Sequence, residues 1–293
     1  MKLSCLHTHT NFCDGNDDIQ TMCTYAHKKG LSSLGFSSHA PLPKESELES
    51  DWHIKLDKLD AYMDAVLKAK KEWKGRLNIY LGLEIDYIRG IMGPSDNRFK
   101  MLPLDYCIGS VHYVIPPKGK PFTVDGPFEE AAQGIQDGFD GDSKAYMHAY
   151  WDAVSSMIDH GGFDILGHID LIKKNNQNEE LFSLSSKEYL SGAERALDKL
   201  TGTSAVAEIN TGGLIRGKTK DCYPSLPILQ MMQSRNIPVT ITADAHNAEH
   251  LAGYYDTAIK TLRESGYKSI QFFEGSPGGE AHWSSLPLEN CLS

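Results

Sequence analysis

Leu3-Ser4-Cys5-Leu6, followed at once by His7-Thr8-His9 and then by Asp14, opens the chain with a short apolar run that ends in two imidazoles. Residues two apart on a strand point to the same face, so His7 and His9 aim at one point, as a divalent cation requires. Twelve histidines make one such triplet weak evidence by itself. The arrangement recurs, however. Short apolar runs end in ligand-type residues again at His39, Glu84, His112, His168 and Asp244-Ala245-His246. Packing alone would select apolar side chains at these places.

Working outward, apolar runs over residues 2–7, 33–37, 77–84, 104–110, 164–168, 205–209 and 238–242 read as strands. They alternate with amphipathic stretches over 17–29, 54–73, 144–160, 185–200, 225–235 and 248–265 that read as helices. Leu56, Leu59, Tyr62, Met63, Val66 and Leu67 keep the 3.6-residue period in the second of these. Asp17 and Ser185 are expected to cap helix starts, and Gly30 and Gly266 to follow helix ends. Strand–helix alternation predicts an α/β fold with a parallel sheet. Seven such units, with chemistry at nearly every strand's C-terminal end, favour a closed barrel with its active site on that face. An open doubly wound sheet is the runner-up. It normally carries a glycine-rich phosphate loop after its first strand, and none is present.

The 293 residues are expected to form one barrel domain. Two segments stand apart. Residues 114–142 carry four prolines and five glycines and leave the barrel directly after His112, which predicts a long loop covering the site. Residues 269–273 read as one further strand, and 274–293 as an irregular tail.

A net charge of −10 argues against a broad nucleic-acid or membrane surface. No apolar run is long enough for a membrane span or a signal peptide. Six scattered cysteines without a C-x-x-C read as reduced thiols, so a cytoplasmic protein is expected. Cys13 reads as a small buried thiol rather than a ligand.

With Asp14 on the first loop, the strand-end residues His7, His9, His39, Glu84, His112, His168, Asp244 and His246 exceed what one ion can use. They suit two or three ions bridged by Glu84 or Asp244, and mixed nitrogen and oxygen donors fit Zn, Mn or Fe. Asp86 and Asp170 lie two residues beyond Glu84 and His168, on the same faces, where they could orient ligands. The remaining histidines, His27, His53, His148, His160, His250 and His282, read as structural or solvated. Arg216, after Gly212-Gly213, could bind a phosphate through two bonds, and Lys173 and Lys174 follow His168. Basic groups beside a cation cluster in an acidic chain point to a small phosphorylated substrate.

His7-Thr8-His9, Ser38-His39-Ala40-Pro41, Gly82-Leu83-Glu84-Ile85-Asp86-Tyr87, Gly109-Ser110-Val111-His112, Gly167-His168-Ile169-Asp170-Leu171, Glu208-Ile209-Asn210-Thr211 and Asp244-Ala245-His246 together resemble the PHP (polymerase and histidinol phosphatase) superfamily. The likeness spans about residues 1–270 in order. The His-Ala-Pro segment, the Gly-Leu-Glu-Ile-Asp-Tyr run and the Asn-Thr-Gly-Gly-Leu-Ile-Arg loop most resemble its stand-alone histidinol-phosphatase branch. The resemblance implies a distorted (β/α)7 barrel holding a trinuclear site: His7, His9, Glu84 and Asp244 on one ion; His39, His246 and Asp14 on a second; Glu84, His112 and His168 on the third. It also implies a phosphate-binding Arg216, with Lys173 standing where the branch commonly has a second arginine. The implied activity is hydrolysis of L-histidinol phosphate, a step of histidine biosynthesis, by metal-activated hydroxide. His246 and Asp14 are the candidate general acids. Another phosphorylated substrate, or metal binding without catalysis, are the alternatives.

Overall fold

The computed structural model describes residues 3–291 apart from 47, 49, 175, 177 and 277–279. Its strands in chain order are β1 (Ser4–Cys5), β2 (Ser33–Phe36), β3 (Asn78–Asp86), β4 (Tyr106–Ser110), β5 (Tyr113–Val114), β6 (Phe122–Thr123), β7 (Ile165–Leu166), β8 (Val206–Asn210), β9 (Val239–Thr242), β10 (Ser269–Gly275) and β11 (His282–Pro287). The helices are α1 (Ile19–Lys28), α2 (Leu59–Glu72), α3 (Asn97–Lys100), α4 (Phe128–Gly138), α5 (Ser143–His160), α6 (Lys187–Leu200), α7 (Gly212–Ile215), α8 (Leu226–Ser234) and α9 (Tyr255–Glu264).

Seven strands form one parallel sheet in the order β1-β2-β3-β4-β7-β8-β9. The two ends meet through a parallel bridge between Thr8 and Ala245, where His9 N–H donates to Ala245 O at 2.9 Å and Ala245 N–H to His7 O at 3.1 Å. The sheet is therefore a nearly closed, distorted barrel. The closing bridge runs through the two ligand-rich segments themselves, so forming the barrel also brings His7 and His9 beside Asp244 and His246.

Local chemistry sets the element ends. Asp18, not Asp17, caps α1 by accepting from Thr21 N–H at 2.7 Å. Asp17 instead accepts from Ala248 N–H at 2.7 Å and ties the first loop to the last. Ser186, not Ser185, caps α6. Gly30, at φ +74°, takes the left-handed turn after α1 that a side chain resists. The last helix begins at Tyr255 rather than 248, because Ala252 and Tyr254 adopt positive φ and break the run.

Beneath the site the barrel is filled by Leu6, Tyr80, Tyr106, Ile108, Ile165 and Phe273. A Cβ on Gly35 would meet Tyr106 Oη at 2.3 Å, and one on Gly82 would meet its ring at 2.6 Å. These glycines admit the tyrosine, whose hydroxyl donates to Leu6 O. Phe273 reaches this plug from β10, which pairs antiparallel with β11. The irregular tail expected over 274–293 is thus replaced by a hairpin. Apolar residues alternate along β10, and Leu286 on β11 is buried, which gives the hairpin a face to pack. The expected structureless loop over 114–142 is also corrected, since β5, β6 and α4 organise it. Among the described residues no helix is long and apolar enough to cross a membrane.

Candidate metal centre and phosphate site

Apart from Asp14, on the loop between β1 and α1, the candidate ligands lie at or near the ends of barrel strands, and Glu84 on β3 stands at their centre. Its Oε2 lies 3.1 Å from His7 Nε2, 3.1 Å from His39 Nδ1 and 3.5 Å from His9 Nε2. Its Oε1 lies 3.1 Å from His168 Nε2 and 3.6 Å from His112 Nε2. Asp244 Oδ1 is 3.2 Å from His9 Nε2 and 3.7 Å from His7 Nε2. On the outer side, Asp14 Oδ2 is 3.0 Å from His246 Nε2, and Asp14 Oδ1 is 3.9 Å from His39 Nε2.

Four overlapping groups have the spacing to hold a cation: His9, Asp14, His39 and His246; His7, Glu84 and His168; His7, His9 and Asp244; His39, Glu84 and His112. All nine expected ligands are included. The division differs from the implied one in that His9 also faces the outer group, while His112 and His168 reach Glu84 in separate groups.

Hydrogen bonding shows why a cation fits. Glu208 Oε2 lies 2.9 Å from His7 Nδ1 and accepts from Thr242 Oγ1 at 2.8 Å; Oε1 accepts from His168 N–H at 2.7 Å and Asn210 Nδ2 at 2.8 Å. Burial raises the Glu208 pKa, but His7 outweighs it and the carboxyl is held below its usual range. An ionised carboxylate only accepts, so His7 Nδ1 carries a proton and the other nitrogen faces Glu84. His7 Nε2, His9 Nε2, His39 Nδ1 and both Glu84 carboxylate oxygens are buried without a hydrogen-bond partner. Such atoms are costly to leave unmatched, and a divalent cation satisfies nitrogen and carboxylate lone pairs together. The donor set fits Zn, Mn or Fe.

The electrostatics show carboxylates that draw positive charge into the cage, which protons supply where a cation does not. Burial would raise the Glu84 pKa, yet the imidazoles of His7, His39 and His112 hold it well below the carboxylate range. Burial lowers His39 to about 3, leaving a neutral imidazole with a free lone pair. His112 is opposed by burial but lifted to about 10 by Asp86 and Glu84. Asp244 sits at φ +48°, a backbone position rarely taken by a non-glycine residue, of the kind found at functional sites.

Asp86 orients its ligand as expected: its Oδ1 lies 2.5 Å from His112 Nδ1. Its Oδ2 lies 2.7 Å from His53 Nε2, so His53, expected to be structural or solvated, joins the site's outer support. Asp170 does not orient His168. It pairs with Lys173 at 3.1 Å and accepts from Ser225 N–H at 2.9 Å. Lys173 is corrected as well. Its buried Nζ is held by Asp170, by Asp221 at 3.1 Å and by Cys222 O at 2.7 Å, and it does not line the cleft. Lys174, just past the 3-10 turn that carries Lys173, lines the cleft instead, as does Lys120. Cys13 is a neutral thiol that burial pushes up to about 11.

The cleft above the cage measures about 870 Å³ and is bordered by Arg216, Lys174, Asp125, Trp52, Tyr113 and Phe122 as well as by the candidate ligands. Arg216 donates to Asp244 Oδ2 and Asp244 O, each at 2.9 Å, and its Nη1 lies 3.0 Å from His246 Nδ1. Gly212 makes room for it, since a Cβ there would meet Arg216 Nη2 at 2.8 Å.

Glu208→Gln puts an amide N–H against a donor or removes an acceptor. Metal affinity is expected to fall about 10- to 100-fold, the usual cost of losing a group that orients a ligand. Equilibrium dialysis measures it, and unchanged affinity would remove Glu208 from the site's support.

The barrel, the cage and the cation-bordered cleft define a metal-binding phosphoesterase fold. The PHP domain family model matches residues 6–212, and the chain belongs to that family. A protein of Deinococcus radiodurans described as "Probable histidinol-phosphatase" is 27% identical over 269 residues, covering 91% of this chain and 95% of its own. The histidinol-phosphatase of Bacillus subtilis is 27% identical over 274 residues, covering 87% and 97%. Histidinol phosphate phosphatase from Lactococcus lactis, solved with zinc, L-histidinol and phosphate, superposes with a TM-score of 0.66 at 20% identity, covering 96% and 99%.

Proposed function

We propose that this chain is a phosphomonoesterase that hydrolyses L-histidinol phosphate to L-histidinol and inorganic phosphate, using three divalent ions (Zn, Mn or Fe) held by His7, His9, Asp14, His39, Glu84, His112, His168, Asp244 and His246. The observation that carries the reading is the set of buried, unpartnered nitrogen and carboxylate oxygen atoms gathered around Glu84 at the floor of a cleft edged by Arg216 and Lys174. The curated relatives supply the choice of substrate.

The ions, when bound, lower the pKa of water and offset charge on the phosphoryl group. The chain's own residues do the rest. Arg216 offers its guanidinium to the phosphoryl oxygens while its hold on Asp244 keeps that carboxylate aimed at the cage. Lys174 adds a second cation from the neighbouring loop, after β7. His246 Nδ1 lies 3.0 Å from Arg216 Nη1 and 3.0 Å from Asp244 O, and its Nε2 faces Asp14 at 3.0 Å. His246 is opposed by burial, but Asp14 and Asp244 raise its pKa. Asp14 and His246 stand at the cleft mouth, where whichever of them is not engaged by an ion would supply the proton to the departing alkoxide. Residues 120–123, 125–127 and 130, on the segment after His112, border the cleft and act as its cover, keeping bulk water from the phosphoryl group.

Phosphate release from L-histidinol phosphate, an aryl phosphate and a phosphodiester tests the reading. A kcat/KM for histidinol phosphate well above the other two is expected. Preference for another ester would remove the biosynthetic role, and inactivity on all three with metal bound would leave a non-catalytic metal protein.

A further inference from the structure

The cover of the cleft is built around one aromatic ring. Phe122, on β6, is partly buried and borders both the cleft and a second hollow of about 430 Å³ on the outer side of the cover. The two spaces share Lys120, Pro121, Phe122 and Glu130, so the ring stands in the wall between them. Its backbone is fixed. Val114 pairs with Phe122 and Tyr113 with Thr123, and Val124 N–H donates to His112 O at 2.8 Å, which ties the base of the hairpin to a candidate ligand. The ring itself stacks on Tyr146 of α5 with centroids 5.9 Å apart, and Phe139 meets it edge-on at 6.3 Å. Helix α4 shows how the ring fits. Gly134 lies in the interior of that helix, where alanine would be the better helix former. A Cβ there would meet the Phe122 ring at 2.5 Å, well inside contact distance. One turn on, a Cβ on Gly138 would meet Pro116 at 2.5 Å. The weak helix formers thus sit where the hairpin docks, and Gly134 is the seat of the ring.

We propose that Phe122, seated on Gly134, is a specificity-determining residue that closes the cleft on the side of the outer hollow and bounds the size of the alcohol a bound phosphomonoester can carry. The inference rests on the phosphomonoesterase reading and adds what the site refuses: esters of bulky alcohols, such as nucleoside monophosphates. The cations hold any phosphate alike, so they cannot make this distinction. A wall can, because a ligand that runs past it must displace the ring, and specificity is gained by a clash as well as by an attraction. The ring is braced for that work. Tyr146 supports one face, the hairpin pairing holds its backbone, and α4 stands behind it. A side chain at position 134 would press the ring away from α4 and toward the cleft, so the glycine sets how much of the cleft stays open.

Calorimetric binding of adenosine 5′-monophosphate and of inorganic phosphate to the metal-loaded protein tests this without requiring turnover. Both ligands present phosphate to the same cations, so the ratio of their Kd values reports the wall. In Phe122→Ala the ratio is expected to shift at least about tenfold in favour of the nucleotide, with metal content retained. Phe122→Leu keeps apolar bulk in the cover and a melting temperature near that of wild type, and should shift the ratio in the same direction by less. Gly134→Ala is expected to weaken L-histidinol binding about tenfold, and in Gly134→Ala combined with Phe122→Ala that loss should vanish, because no ring is left to displace. A ratio unchanged in both Phe122 variants, or an effect of Gly134→Ala that persists without the ring, would overturn the proposal. Failure of the phosphatase reading appears separately, as absent phosphate release, and does not alter these binding ratios.

Discussion

Glu84→Gln is expected to lower turnover on L-histidinol phosphate at least about a hundred-fold, the scale on which lost ligands and charge-stabilising groups are felt. The substitution is nearly isosteric and leaves β3 and the packing beneath it intact. It changes charge and donor character at the one side chain that contacts His7, His9, His39, His112 and His168 together. A neutral amide has one acceptor oxygen where the carboxylate has two, and its N–H₂ faces nitrogens that must offer lone pairs. Two cation groups contain Glu84, so the metal content of the variant should fall by more than one ion's share. Near-normal turnover with full metal content would remove Glu84 from the bridging position.

Arg216→Ala is expected to reduce kcat/KM about a hundred-fold or more, comparable to removing one preorganised donor to a developing charge. Two losses combine. The phosphoryl group loses a planar, two-pronged donor, and Asp244 loses its partner at 2.9 Å. Asp244 is held well below the carboxylate range against burial, with Arg216 the foremost of its charge partners and His7 next. Arg216→Lys should recover only part of the loss, since an ammonium cannot reach Asp244 and a phosphoryl oxygen in the same fork. Metal content measured beside the kinetics separates the two contributions. A kcat/KM within about threefold of wild type in Arg216→Ala would mean that phosphate is bound elsewhere.

The barrel was legible because its strands are short apolar runs with polar chemistry at one end, and that pattern survives any uncertainty about where a strand starts. Boundaries were less legible. Asp17 and Asp18 are equally good caps by composition, and only the loop's contact with Ala248 assigns them different work. The ligands were legible because nine ligand-type residues at strand ends resist a packing explanation. Their support was not. Glu208 lies within β8, two residues before Asn210, in a segment that carries the family resemblance, but its role is not signalled until His7 is seen against it. His53 lies in an irregular connection, and nothing in its neighbourhood signals Asp86. Lys173 and Lys174 are adjacent, and on a tight turn neighbours point in different directions. Which of them reached the cleft depended on Asp170 and Asp221, which capture Lys173. The strand expected over 269–273 is β10, but its partner β11 escaped notice, because glycine, proline and serine surround a mostly exposed strand of which Leu286 is the buried residue.

The most direct test of the account is phosphate release from L-histidinol phosphate by the purified protein as isolated, after exhaustive chelation, and after return of Zn²⁺ or Mn²⁺. The account predicts turnover that disappears on chelation, returns with the ions and fails to return in Glu84→Gln. Undiminished turnover from protein stripped of metal would contradict it, because the cage around Glu84 would then have no part in the chemistry.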